Sequence, residues 1–184
     1  MSRKRIILGV SGSIAAYRSA DIASALTKDG HDVHAVLTPA AVDFVTPLTL
    51  QTLTRNRVTV HLNDEPAGIP LHIELADKAD LVLVAPATAN IMAQHALGLA
   101  PNALTALLLA TRAPLFFAPA MNGNMWLHPA TQQHVATLKS RGVQFIGPEE
   151  GTLACGYEGI GRLWKVDGIL EIVRANLISS TIKK

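Results

Sequence analysis

The sequence of 184 residues predicts an α/β fold with a mostly parallel sheet. Apolar runs of about five residues alternate with segments of helical periodicity, as in successive β-α-β units. A glycine-containing turn, Gly9–Ala15, follows the first apolar run directly. Two helical segments end in a glycine, Gly30 and Gly142, just before the next apolar run, as expected for a left-handed C-cap. Together these observations favour strands and helices that alternate along one chain.

The elements can be assigned in order from the same patterns. The predicted strands are Arg5–Val10, Asp32–Leu37, Arg57–His61, Asp80–Ala85, Pro114–Ala118 and Val143–Ile146. The predicted helices are Ser13–Lys28, Pro47–Thr54, Leu71–Lys78, Ala87–Leu97, Leu104–Ala110, Pro129–Arg141 and Val166–Asn176. They would form one domain over residues 1–184, a Rossmann-like or flavodoxin-like three-layer sandwich with about six strands. Gly147–Gly161, dense in glycine, is predicted to be an irregular loop that acts as a flap.

Composition excludes several classes of function. Hydrophobic residues make up 49% of the chain and charged residues 16%, so buried faces are expected to include subunit contacts. A net charge of +2 without a basic stripe argues against a nucleic-acid partner. No apolar run approaches the roughly 18 residues that a membrane span requires. The single cysteine allows no internal disulfide, and no Cys/His cluster suggests a metal, so a cytoplasmic, metal-free enzyme or binding domain is expected.

The first turn is a candidate phosphate site. Its glycines allow backbone amides to approach a phosphate, and Ser11 and Ser13 could add hydroxyl donors, although tight turns need glycine for structural reasons as well. A nicotinamide site expects an acidic residue after the second strand, where this chain has Thr38. A mononucleotide such as FMN therefore fits better than NAD.

Further polar side chains follow the fourth and fifth predicted strands. Thr88 and Asn90 lie where ligands bind in open α/β sheets, but Thr88 could equally cap the next helix. The stretch Pro119–Trp126 places an amide, two thioethers and an indole where a chain would ordinarily turn. Taken singly, His72 and Cys155 could each be structural residues. Asn122 and the pair Met121 and Met125 could likewise only pack, since methionine fills irregular gaps. The histidines interpreted as structural are His31, His34, His61, His95, His128 and His134.

Five motifs, taken together, resemble the homo-oligomeric flavin-containing cysteine decarboxylases. They are Gly9–Ala16 (GVSGSIAA), His72–Asp80 (HIELADKAD), Pro86–Asn90 (PATAN), Pro119–Trp126 (PAMNGNMW) and Leu153–Arg162 (LACGYEGIGR). The last two are specific signatures, whereas the glycine turn is not. Two departures are the Gly123-Asn124 pair, where many relatives begin with threonine, and Pro101-Asn102, where relatives commonly show Asp-Asp or Asp-Asn.

The resemblance implies a role for each residue that matches a motif. His72 would be the base, Asn122 would hold the substrate carboxylate, and Cys155 would be the acid on the flap. The implied FMN-binding residues are Gly12, Ser13, Ile14, Thr38, Phe44, Ala87, Thr88, Asn90 and Met121. The implied substrate-binding residues are Asn122, Met125, Ala154 and Gly156.

The resemblance also implies a reaction and partners. The substrate would be 4′-phosphopantothenoylcysteine, converted to 4′-phosphopantetheine in coenzyme A biosynthesis. Flavin oxidation of the thiol to a thioaldehyde would allow CO2 to leave, and the resulting enethiol would then be reduced. The implied partners are further copies of the chain, in a homotrimer or a homododecamer with the site at a subunit boundary, and a phosphopantothenate–cysteine ligase domain or protein.

Three alternatives stay open. A peptidyl-cysteine decarboxylase would perform the same oxidative step on a peptide, stop at the enethiol and not need the Cys155 acid. A flavin prenyltransferase would share the general fold but not require PAMNGNMW. A non-catalytic regulatory relative would typically lack one of His72, Asn122 and Cys155, and this chain has all three.

Overall fold

A five-stranded parallel sheet forms the centre of the molecule in the computed structural model, which describes residues 3–62, 70–152, 156 and 158–182. The strand order is β2-β1-β3-β4-β5, and every pairing in this sheet is parallel. The strands are β1 (Arg5–Val10), β2 (Asp32–Leu37), β3 (Leu81–Ala87), β4 (Leu115–Pro119) and β5 (Gln144–Phe145). The predicted α/β class with a mostly parallel sheet is confirmed, with five strands rather than six.

Helices cover both faces of the sheet. They are α1 (Arg18–Lys28), α2 (Pro47–Thr54), α3 (Leu71–Lys78), α4 (Ala89–Ala96), α5 (Ala103–Ala110), α6 (Gly123–Leu127), α7 (Pro129–Ser140) and α8 (Val166–Ile182). Short 3₁₀ turns occupy Ile14–Tyr17 and Pro39–Ala41.

Successive side chains of the buried strands point to opposite faces of the sheet, so the core consists of two layers. Ile6 and Leu8 of β1 pack with α1, α2 and α8 on one face, whereas Ile7 packs with α3, α4, α5 and α7 on the other. Because both faces are covered, the central strands are apolar without interruption, as expected for a parallel sheet. From β1 the chain adds β2 on one side of the sheet, and it then adds β3, β4 and β5 on the other side. The point between β1 and β3 is therefore the topological switch point, where ligands bind in open α/β sheets.

Two predicted elements are wrong. Arg57–His61 is not a strand: it reaches the sheet through one isolated bridge, between Thr59 and Val36. Val58 and Val60 are buried there, which accounts for the strand-like alternation. The predicted loop Gly147–Gly161 contains most of an antiparallel hairpin, β6 (Glu149–Thr152) and β7 (Glu158–Arg162).

The other differences are shifts of boundary. The first predicted helix is divided into the 3₁₀ turn and α1, and α8 continues past Asn176 to Ile182. Helix α6 was not predicted. None of the helices in the described part of the chain combines the length and the apolar character needed to cross a bilayer.

Candidate functional site

A cavity of about 480 Å³ lies at the carboxyl edge of the sheet. Because parallel strands end at the same edge, the turns that follow β1, β2, β3 and β4 all contribute to it. The lining residues that the sequence predicted are Gly12, Ser13, Thr38, Thr88, Asn90, Met121 and Met125. The motifs are therefore distant in sequence but adjacent in space. We call this the smaller cavity.

Close packing explains the glycine in the first turn. A Cβ on Gly12 would lie 2.7 Å from Ala40 Cβ and 2.9 Å from the Ala40 carbonyl oxygen. The backbone of this turn therefore approaches the turn after β2 more closely than any other residue would allow. Ser13 accepts a hydrogen bond from Ala15 N at 3.3 Å and so begins the 3₁₀ turn that follows.

Thr38 lines the smaller cavity and has a buried hydroxyl. The residue is 8% exposed, and within the described part of the chain Oγ1 has no hydrogen-bond partner. An unsatisfied buried hydroxyl costs about 1–3 kcal/mol, so such groups usually have a partner. A ligand oxygen in the cavity would supply one. A nucleotide ligand fits both features: its phosphate could lie against the backbone at Gly12, and an oxygen of its phosphate or ribityl chain could bond to the Thr38 hydroxyl.

A buried serine joins the turns after β1 and β3. Ser11 Oγ donates to the Pro86 carbonyl oxygen at 2.8 Å and accepts from Thr88 N at 3.0 Å. Thr88 in turn caps α4, since its hydroxyl accepts from Ile91 N at 3.4 Å. The capping interpretation of Thr88 is therefore correct, and the same residue also lines the cavity. Ser11 thus holds one wall of the site in position.

Asn102 completes the smaller cavity from the start of α5. Its Oδ1 accepts from Thr105 N at 3.1 Å, and Thr105 Oγ1 accepts from Asn102 N at 3.1 Å, which forms a capping box. In the sequence, Asn102 stands out only as part of a departure from a motif.

A larger cavity, of about 790 Å³, adjoins the smaller one. The two share Ser13, Ala120 and Met121 in their walls. Asn122 lines the larger cavity beside this junction, at the start of α6. Its Oδ1 accepts from Asn124 N at 2.9 Å, which fixes the orientation of the carboxamide.

The hairpin forms another wall of the larger cavity. Met121 N donates to the Gly161 carbonyl oxygen at 2.9 Å, so β7 is attached directly to the segment that carries Asn122. Gly161 has a φ of +131°, and a Cβ there would overlap the Met121 carbonyl oxygen. The hairpin carries the LACGYEGIGR motif, but Ala154 and Cys155 lie outside the described residues. Gly156 is exposed and is not among the described residues that line either cavity.

His72 does not line either cavity of the chain. It is half-buried in the first turn of α3, and it is not among the described residues that line either space. Glu74, from the same motif, pairs with Lys78 at 2.6 Å, and this contact lowers the pKa of Glu74. The structure therefore brings Asn122 to the junction of the cavities but does not bring His72 there.

The remaining predicted residues have mixed positions. Ile14 lines the larger cavity rather than the smaller one and is 60% exposed. Phe44 is exposed and Ala87 is buried at the end of β3, and neither is among the described residues that line a cavity. Met125 lines the smaller cavity, on the side of the proposed cofactor rather than the substrate.

The charged lining of the larger cavity was missed in the sequence. Arg18, Arg162 and Lys165 bring cations to it from three different elements or connections. Arg18 donates to Asp21 at 3.3 Å, and this contact and Tyr17 raise the pKa of Arg18. No spacing in the sequence relates these positions, so only the fold brings them together.

An open α/β sheet with two joined cavities at its carboxyl edge defines the general class of ligand-binding doubly wound proteins. A model of the family described as Flavoprotein matches residues 1–178. The chain belongs to the flavoprotein family.

Curated relatives include both short and long proteins. A probable phosphopantothenoylcysteine decarboxylase of Streptococcus mutans serotype c is 47% identical over 178 residues, which cover 95% of this chain and 99% of that protein. A coenzyme A biosynthesis bifunctional protein, CoaBC, of Haemophilus influenzae is 45% identical over 164 residues, which cover 89% of this chain and 41% of that protein. The chain thus spans less than half the length of such bifunctional relatives.

Solved structures with the same fold include two decarboxylases. A mutant PPC decarboxylase complexed with pantothenoylaminoethenethiol has a TM-score of 0.84 and 33% identity, covering 95% of this chain and 98% of that one. The FMN-dependent cysteine decarboxylase SpaF has a TM-score of 0.83 and 27% identity, covering 97% of both chains.

Proposed function

We propose that this chain catalyses the FMN-dependent decarboxylation of 4′-phosphopantothenoylcysteine to 4′-phosphopantetheine in coenzyme A biosynthesis. The observation that carries this proposal is the junction of the two cavities at Ser13, Ala120 and Met121, with Asn122 beside it. A cofactor in the smaller cavity would meet a substrate in the larger one at this point. The similarity to a probable phosphopantothenoylcysteine decarboxylase along nearly its whole length supports the choice of substrate.

The smaller cavity suits FMN. Backbone amides of the Gly12–Ser13 turn would hold the phosphate, since consecutive N–H groups in a tight turn form an anion site. Thr38 Oγ1, which has no partner in the described residues, would bond to the ligand, and Thr88, Asn90 and Met121 would line the remainder. Bound FMN would supply a two-electron oxidation of the substrate thiol and return the same electrons before product release. Ile14, Phe44 and Ala87 do not line the smaller cavity, and they are proposed as contacts of the part of FMN that extends beyond it.

Asn122 would orient the substrate carboxylate. Its NH2 group can donate to a carboxylate without the charge pairing that would oppose departure of neutral CO2. The Asn124 N–H keeps the carboxamide in one orientation. Ala154 and Gly156 are proposed to complete the substrate pocket, and Met125 is proposed to approach the substrate from the wall of the smaller cavity.

Two further groups would move protons. His72 would accept the proton released as the thiol is oxidised, because a neutral imidazole carries a ring nitrogen that can act as a general base. Cys155 would donate a proton to the enethiolate carbon after CO2 has left. The hairpin that carries the Cys155 motif is joined to the Asn122 segment by the Met121–Gly161 hydrogen bond. This attachment supports a flap that delivers the acid to the substrate.

The location of His72 supports a site shared between protomers. His72 lies outside both cavities of its own chain, so a neighbouring copy would have to supply it. Exposed apolar side chains such as Leu48, Leu97 and Leu127 offer surfaces for such contacts. We propose a homotrimer, with a homododecamer as the larger assembly. A ligase domain or protein is a further proposed partner, because bifunctional relatives are longer than this chain. The single cysteine agrees with a cytoplasmic location.

A peptidyl-cysteine decarboxylase is the second candidate. The similarity to SpaF, described as an FMN-dependent cysteine decarboxylase, is compatible with a cysteine carried by another kind of substrate. Such an enzyme would release the enethiol without protonating it, so Cys155 would be dispensable.

Product analysis tests the proposal. The purified flavin-containing protein would be incubated with 4′-phosphopantothenoylcysteine and, separately, with a peptide ending in cysteine, and the products would be weighed by mass spectrometry. We expect 4′-phosphopantetheine from the first substrate and no change in the peptide. An enethiol peptide as the only product would replace the proposal with the second candidate, and two unchanged substrates would reject both.

A further inference from the structure

The larger cavity is lined by three cationic and three anionic side chains. Its charged lining residues are Arg18, Asp21, Glu149, Arg162, Lys165 and Asp167. Asp21 pairs with Arg18 at 3.3 Å, and Glu149 pairs with Arg162 at 3.4 Å. Each of these carboxylates therefore has a cation of its own.

The third carboxylate, Asp167, forms no ion pair in the described part of the chain. Lys165 directly precedes α8, and in the described part of the chain it has no ion-pair partner. Lys165 is thus the cation of this cavity that has no ion pair among the described residues, whereas Arg18 and Arg162 each have one.

The other walls of this cavity are amide and apolar. Asn122 lies beside the junction with the smaller cavity, while Ile14, Leu163 and Val166 provide apolar surface. A ligand with a carboxylate, a branched aliphatic arm and a terminal phosphate would find a matching group for each part. At neutral pH an alkyl phosphate carries close to two negative charges, which an ammonium group without an ion pair attracts.

We propose that Lys165 binds the terminal phosphate of the substrate and selects phosphorylated over unphosphorylated ligands. This inference rests on the proposed function, because the phosphate belongs to the proposed substrate. Arg18 and Arg162 are weaker candidates for this contact, since each would have to share its cation with a carboxylate that it already pairs with. Lys165 is therefore a specificity-determining residue, distinct from the groups that handle protons.

Calorimetric binding of two unreactive fragments tests the assignment. The ligands are 4′-phosphopantothenate and pantothenate, which differ only in the phosphate, and the protein is used with its flavin. Lys165→Gln removes the charge, Lys165→Arg keeps it, and Lys28→Gln removes an exposed lysine outside both cavities.

We expect the wild type and Lys28→Gln to bind the phosphorylated ligand at least about tenfold more tightly than pantothenate. Lys165→Gln should reduce that preference about tenfold while its affinity for pantothenate stays the same, and Lys165→Arg should restore most of it. High salt should weaken the preference of the wild type, because an exposed charge pair is screened. The assignment is overturned if the wild type binds both ligands with equal affinity. It is also overturned if Lys165→Gln leaves the preference for the phosphorylated ligand unchanged, or lowers the affinity for both ligands equally.

Turnover of 4′-phosphopantothenoylcysteine, measured on the same preparations, separates this inference from the proposed function. A Lys165-dependent preference without CO2 release would keep the phosphate site and reject the decarboxylase function. CO2 release without any dependence on Lys165 would reject the phosphate site and keep the function.

Discussion

Thr38 is the residue at which we expect stability and cofactor binding to be connected. Its hydroxyl is buried at the edge of the smaller cavity, and the described residues offer it no partner. The protein without flavin therefore carries the cost of an unsatisfied polar group. Bound FMN would remove that cost, so the residue is expected to contribute to binding rather than to folding.

Thr38→Val is expected to separate these two effects. Without flavin, the free energy of unfolding should stay equal or rise by about 1 kcal/mol, because the unsatisfied hydroxyl is gone. The dissociation constant for FMN should rise about tenfold, because a hydrogen bond to the ligand is lost. Denaturant unfolding and fluorescence titration of the flavin-free protein measure the two quantities.

Thr59→Val is the matched control. Thr59 is 1% exposed and its Oγ1 also has no partner within the described residues, but it is not among those lining either cavity. The same small gain in stability is expected, with unchanged FMN affinity. If the two variants change the dissociation constant for FMN equally, the assignment of Thr38 to the cofactor site is wrong.

Several single residues of the site could be predicted from the sequence, and others could not. Gly12, Thr38, Asn90 and Asn122 follow strand ends, and parallel strands bring their carboxyl ends to one edge. Lys165 has no such signal, because a lysine before a helix is ordinary. Its significance depends on which carboxylates are already paired around it, and that is a property of the packed structure.

At the scale of elements, the hairpin β6–β7 is the least predictable part of the fold. Its strands contain Gly151, Gly159 and Gly161, and glycine weakens the apolar alternation by which strands are recognised. The buried strands β1, β3 and β4 were predicted because each is a continuous apolar run. Arg57–His61 shows the opposite error, since buried valines produced a strand pattern without a strand.

Gly161→Ala tests the attachment of the hairpin. The added methyl group would overlap the Met121 carbonyl oxygen, and the φ of +131° is itself unfavourable for alanine. We expect the variant to lose about 1–3 kcal/mol of stability and most of its activity, because the segment that carries Asn122 must shift. Thermal unfolding and decarboxylation assays measure these losses.

Gly142→Ala is the control that separates the cost of a positive φ from the cost of the overlap with Met121. Gly142 has a φ of +89°, but a Cβ added there would meet nothing within 4 Å, so only the cost of the backbone conformation applies. The free energy of unfolding of this variant should fall by about 1 kcal/mol, and its activity should stay the same. If Gly161→Ala behaves the same way, the contact with Met121 has no role in the site.

For the whole molecule, burial of histidines makes stability depend on pH. Burial lowers the pKa of His31 against a smaller opposing effect of Asp29, and burial also lowers the pKa of His95. Both nitrogens of His31 are buried without a partner in the described residues. In the unfolded chain these side chains titrate near pH 6.5, whereas the folded chain binds their protons only at lower pH.

The sign of the effect follows from proton binding. Above about pH 6.5 these histidines are neutral in both the folded and the unfolded chain, and they do not reduce stability. As the pH falls from there toward their lowered pKa values in the folded chain, only the unfolded chain gains protons. The free energy of unfolding then decreases by at most about 1.4 kcal/mol per pH unit for each histidine. His31→Phe should therefore reduce the slope of stability against pH between about pH 6.5 and pH 5. Chemical unfolding at several pH values measures it, and an unchanged slope would contradict the account.

Assembly provides a second prediction at this scale. If His72 of one protomer serves the Asn122 site of another, co-expressed His72→Asn and Asn122→Asp chains can together form intact sites. Random mixing in a cyclic assembly should restore about a quarter of wild-type activity, although each variant alone is inactive. Activity that stays at the level of the single variants would place both residues in one protomer's site.

The central claim is that a flavin in the smaller cavity and a cysteine-derived substrate in the larger one react in a cycle without net oxidation. Rapid mixing with 4′-phosphopantothenoylcysteine, followed by the yellow absorption of oxidised flavin and by CO2 release, tests it most directly. The account predicts that absorption falls and then recovers as CO2 and the saturated thiol form. It predicts no fall in His72→Asn, and a lasting fall with accumulated enethiol in Cys155→Ser. Release of CO2 by the wild type without any change in flavin absorption would contradict it.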